Sequence, residues 1–137
     1  MVLSAQEQLT VTNLIPVMKK LFPELEPRFA ERQQDLEGVS AGLHFIYVFC
    51  PFLRTFLDSE QPHPNLLGKR LFAYLESMSQ SSDIRVSEIL AYHILESLSH
   101  KQLEIAKIYM GSKTKEILKE VEEFWEKVGK WQTTRKC

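Results

Sequence analysis

Apolar residues recur at three- and four-residue steps through most of this chain, the spacing that places them on one face of an α-helix. No Asn-Gly or Asp-Gly turn separates alternating runs, so the pattern predicts helices and no hairpins. Leu9, Val11 or Thr12, Ile15, Met18, Leu21 and Phe22 make the first apolar face. Pro16 fits only the first turn of a helix, which predicts a start near Asn13 or Leu14, and Pro23 ends the segment. Residues 24–37 keep a thin stripe of Leu25, Phe29 and Leu36, as a surface helix would. Residues 43–57 are apolar almost all round. Leu43, Ile46, Tyr47, Cys50, Leu53 and Leu57 form one stripe, with Phe45, Phe49, Phe52 and Phe56 beside it. That pattern predicts an element packed on several sides, with Pro51 producing either a kink or a junction between two short helices.

The second half is punctuated more sharply. Asn65 is placed to cap a helix running to about Ser79, with Leu67, Leu71, Phe72 and Leu75 inward. Asp83 caps the next, whose stripe is Val86, Ile89, Leu90, His93, Ile94 and Leu98. A short helix after Ser99 carries Leu103, Ala106, Ile108, Tyr109 and Met110, and Gly111 is its expected C′ residue. A long last helix starts at Ser112 or Thr114, with Ile117, Leu118, Val121, Phe124, Trp125 and Val128 expected inside. The sum is an all-α, compact single domain over residues 1–137, with six or seven helices and an ordered core from about 13 to 128. Helices 65–79 and 83–99 should form an antiparallel hairpin of HEAT type, of which only about one and a half units fit; an orthogonal helical bundle is the alternative.

Composition narrows the function classes. The chain has 137 residues, 44% of them hydrophobic and 26% charged, which excludes a disordered tail, a collagen-like fibre and a multi-spanning membrane protein. Its 17 Lys and Arg against 18 Asp and Glu lack the positive excess of a phosphate-gripping surface. The residues from Lys69 onward hold 12 bases against 10 acids, and those before it 5 against 8, a small asymmetry. Cys50 and Cys137 do not make a disulfide framework, so a reducing cytosol suits the chain. The first seven residues lack the basic region of a secretory signal, and the longest apolar stretch, 43–53, is too short to span a bilayer. These features together point to a cytoplasmic protein.

Candidate chemistry is sparse. His93 and Glu96 are three residues apart, and His100 and Glu104 four. A di-metal carboxylate site needs two Glu-x-x-His motifs and further glutamates, and a zinc protease needs His-Glu-x-x-His; neither pattern occurs. No metal or other cofactor is expected. Cys50 precedes a proline inside an aromatic run, where a thiolate would be desolvated and inert. Five scattered glycines make no phosphate-binding loop. The leading expectation is therefore a non-catalytic protein-binding module. Its candidate contact residues are the acids of segment 24–37, namely Glu24, Glu26, Glu31, Asp35 and Glu37, which outnumber Arg28 and Arg32 and could meet a basic partner surface. A solvated helix face is the plainer account of the same acids. Two alternatives stand beside it. One is a small-ligand-binding or hydrolytic enzyme with a pocket near Tyr47, Tyr92, His93 and Glu96. The other is a DNA-binding regulator using Lys113, Lys115 and Lys119, which glutamates dilute.

The order of short motifs adds to this. Leu21-Phe22-Pro23-Glu24-Leu25, Leu71-Phe72-Ala73-Tyr74-Leu75-Glu76, Ile94-Leu95-Glu96-Ser97-Leu98, Tyr109-Met110-Gly111-Ser112-Lys113-Thr114 and Glu123-Phe124-Trp125 resemble a family of small bacterial helical proteins of unknown function. The likeness runs from about Leu14 to Val128, and its most specific parts are the Tyr-Met-Gly-x-Lys-Thr and Phe-Trp elements. It carries no catalytic residues. It implies a bacterial cytosolic protein, in some cases an immunity partner that neutralises a secreted toxin by direct binding.

Overall fold

Helix boundaries follow the capping chemistry of the sequence. The computed structural model describes residues 8–31, 40–59 and 65–128. Among these, all regular elements are helical. Helix α1 is Leu14–Leu21, with Pro16 in its first turn as its missing N–H requires. Phe22 breaks the helix, a 3₁₀ turn covers Pro23–Leu25, and α2 follows at Glu26–Glu31. Leu36, Asp35 and Glu37 lie outside the described residues. Order begins before α1: Leu9 is fully buried, and Val11 N–H donates to Asp83 Oδ2 at 3.0 Å.

Two short helices meet just before Pro51, joined by a wide turn. Helix α3 (Ala41–His44) runs into a wide π turn, Phe45–Phe49, and then into α4 (Cys50–Asp58), with Pro51 in the first turn of α4. Proline has no N–H for the carbonyl four residues back and presses on it; widening the preceding turn relieves that conflict. The extra residue also rotates the upstream chain. Val48 and Phe49 are buried, while Leu43, Ile46 and Tyr47, expected inside, are 37%, 38% and 43% exposed.

Asn65 caps α5 (Leu66–Ser79) by accepting from the N–H groups of Leu67 and Gly68. Asp83 caps α6 (Ile84–Ile89), four residues after α5 ends, and α6 packs against α5. A second π turn, Leu90–Ile94, and a 3₁₀ turn, Leu95–Ser97, finish this stretch. Ser99 and Gln102 form a reciprocal capping box that opens α7 (His100–Tyr109). Helix α8 is Ser112–Val128.

One core draws on α1, α2 and α4 to α8, and its largest buried side chains are Trp125, Tyr74, Phe22, Phe49 and Phe72. Phe22 meets Phe49 and Tyr74 edge-on, with ring centroids 6.0 and 5.7 Å apart. The Tyr74 hydroxyl is satisfied by Leu14 O at 2.9 Å. The structure is thus all-α and single-domain, as the spacing predicts. One inward assignment on α8 is corrected. The buried face is Thr114, Leu118, Val121 and Trp125, and Phe124, one residue or 100° further round, is 52% exposed.

Candidate functional site

The two π turns pack against each other. This is the place where the chain departs most from regular helix, and wide turns of this kind recur at functional sites. Three contacts hold this region, two of them on His93 and one joining the following 3₁₀ turn to α8. Gly42 lies under the His93 ring so closely that a Cβ there would sit 2.9 Å from Nε2. The Cys50 thiol donates to His93 O at 3.5 Å, and Trp125 Nε1 donates to Glu96 Oε2 at 3.4 Å. Burial pushes the Cys50 thiol above its ordinary pKa, against a smaller opposing pull from Ser97 and Arg54. The thiol is therefore held as a neutral, weakly nucleophilic group.

His93 faces Gly42 on α3, whereas Glu96, on the following 3₁₀ turn, faces the indole of α8. Among the described residues no group of three or more His, Cys, Asp and Glu side chains is arranged to hold a metal ion. Tyr47 and Tyr92 belong to the two packed turns but present 43% and 54% of their surface to solvent. Leu43 and Ile46, close to Tyr47 along the chain, are also partly exposed.

The acidic candidates divide. Glu24 is engaged internally, its carboxylate bridging Arg70 Nη1 at 2.7 Å and Nη2 at 2.9 Å, and the guanidinium holds it below the usual carboxylate range. Arg70 also donates to Leu21 O at 2.8 Å and lies over the Phe22 ring, so this pair fastens α5 to the turn after α1. Glu26 and Glu31 are exposed. Asp35 and Glu37 lie outside the described residues. Around the exposed pair, Lys19 covers the Phe29 ring at 4.7 Å and Arg28 the Phe52 ring at 5.9 Å.

A second constellation escaped the sequence reading. Glu76, near the end of α5, accepts from Lys113 N at 3.1 Å, Thr114 N at 3.0 Å and Thr114 Oγ1 at 2.8 Å, at the first turn of α8. An anion at a helix N-terminus satisfies N–H groups that have no partner within the helix. Gly111 serves this contact: its φ is not left-handed, and any Cβ would collide with the Glu76 carboxylate. Burial pushes the Glu76 carboxyl up, but the donors from Thr114 and Lys113 outweigh it and hold the pKa below the ordinary value. Two motifs distant in sequence, one ending in Glu76 and one running from Gly111 to Thr114, are thus two halves of one latch. Their spacing alone carried no signal of it.

Among the described residues no helix is long and apolar enough to cross a membrane. The family described as Domain of unknown function (DUF7674) matches residues 15–126. No curated protein and no solved structure matches the chain.

Proposed function

The chain belongs to the family Domain of unknown function (DUF7674), and from that premise we propose that it is a non-catalytic protein-binding module, most concretely one that neutralises a toxin in the manner of a bacterial immunity protein. The observation that carries this reading is the exposure of four large apolar side chains on and beside the two packed π turns. Leu43, Ile46, Tyr47 and Tyr92 are large side chains that keep 37% to 54% of their surface exposed. Tyrosine supplies broad contact area at low entropic cost and recurs among the residues that dominate binding energy. Exposed Glu26 and Glu31 add negative charge that would favour a partner with a basic surface and speed its approach.

The groups that a catalytic reading would use support binding better than chemistry. His93 is packed on Gly42, Glu96 is turned to Trp125, and the Cys50 thiol is buried. The test is titration calorimetry between the full chain and a toxin domain encoded beside it. A Kd in the nanomolar range, near −12 kcal/mol, is expected. Tyr47→Ala together with Tyr92→Ala should weaken it by roughly a hundredfold or more while the circular dichroism spectrum stays unchanged. Binding that survives both changes, or turnover of a small substrate that fails in His93→Ala, would overturn the reading.

A further inference from the structure

The outer edge of α8 carries a pattern that the packed π turns do not explain. Ile117, Val121 and Phe124 are spaced four and three residues apart. Alternating four- and three-residue steps form the apolar seam of a helix that packs along another helix. On α8 that seam is only partly used within the domain. Val121 is buried and Ile117 half-buried, yet Phe124 is 52% exposed.

Phe124 is flanked by charges of opposite sign. Glu120 lies four residues before it and Lys127 three after, both are exposed, and neither takes part in an ion pair among the described residues. The two are seven residues apart, about 10.5 Å along the axis, too far to pair with each other on one helix. Reversing the direction of an identical helix exchanges the two ends. Glu120 then lies opposite Lys127 of the partner subunit and Lys127 opposite Glu120 of the partner subunit, with the Phe124 ring near the two-fold axis. A surface that complements itself under a two-fold rotation is what a symmetric pair requires.

We propose that α8 is a self-association surface, pairing antiparallel with α8 of a second copy of this chain through Phe124 and two symmetric Glu120–Lys127 ion pairs. This proposal uses a different face from the π-turn seam and stands or falls separately from it. One helix edge per copy is a small interface, so the dimer is weak and concentration-dependent, with a Kd of roughly 10–100 µM.

Sedimentation equilibrium of the full chain, from about 5 µM to 1 mM, tests it. A monomer–dimer equilibrium is expected that weakens with added salt. Phe124→Asp should abolish the dimer, and circular dichroism should show a folded protein because the ring is exposed. Glu120→Lys turns both pairs repulsive and should raise Kd roughly tenfold or more. The decisive variant combines Glu120→Lys with Lys127→Glu. It restores both pairs across a dimer and should return Kd to within about threefold of the parent, whereas a role within one helix gives no reason for rescue. Lys115→Glu, on the opposite side of α8 from Phe124, should leave the equilibrium unchanged. A monomer at every concentration, a dimer indifferent to Phe124→Asp, an assembly larger than two, or a charge-swapped variant no better than Glu120→Lys would each overturn the proposal.

Discussion

Replacing Glu76 by alanine should loosen α8 from α5 at a single point, and its cost can be worked from the contacts. The carboxylate satisfies two N–H groups of the first turn of α8 and the hydroxyl of Thr114, a side chain with no solvent exposure. Losing a helix cap costs about 1 kcal/mol, and a buried hydroxyl left without a partner costs about 1–3 kcal/mol. An anion at a helix N-terminus adds about 0.3–1 kcal/mol. Water entering the vacated space recovers part of this, which leaves a loss of about 2–4 kcal/mol. That is a large share of the roughly 5–15 kcal/mol that holds an ordinary domain together. Urea melts should show the midpoint falling with an unchanged m-value.

The same latch has a pH signature. The folded pKa of Glu76 lies below its unfolded value, so the stabilisation is present above about pH 4.3 and is lost as pH falls through the lower, folded pKa. The stability gap between the parent chain and Glu76→Gln should therefore be widest near neutrality and shrink in acid. A Thr114→Val partner completes a double-mutant cycle, and the two changes should couple by about 1 kcal/mol or more. A loss below about 0.5 kcal/mol for Glu76→Ala, or additive effects of the two changes, would refute the reasoning.

Two further outcomes follow from the packing. Gly68→Ala should gain about 1 kcal/mol of helix propensity yet be destabilising by about 1–2 kcal/mol overall. A Cβ there would lie 2.5 Å from Tyr109 Cε1 and 2.7 Å from Phe56 Cζ; a net gain in a thermal melt would show that the rings yield freely. In a Cys137→Ser background, Cys50, which is 1% exposed and has a raised pKa, should react with a thiol reagent at least about a thousandfold more slowly in the folded protein than in denaturant. Prompt reaction of the folded chain would contradict the packing at the seam.

Local chemistry was legible where a residue acts on its own neighbours. Asn65, Asp83 and Ser99 bond N–H groups two or three residues on, and Pro16 tolerates only a first turn, so these boundaries follow from short-range rules. The apolar periodicity identified most of the core, because a regular helix keeps one face for its whole length. It misled at Leu43, Ile46 and Tyr47, where a wide turn inserts a residue and rotates that face, and at Phe124, where the core contacts only the adjoining strip of α8.

By itself, then, the amino-acid order determined the all-helical class, the places where helices start and stop, and the absence of the known catalytic and phosphate-binding motifs. Each of these depends on residues within a turn or two of one another. Only the tertiary structure decided that Glu24 is bound to Arg70, that Glu76 caps α8, that His93 and Glu96 look to different neighbours, and that Tyr47 and Tyr92 on the two packed π turns stay partly exposed. Those are contacts between residues 29 to 51 positions apart, and their geometry depends on how whole helices are stacked and rotated about their axes.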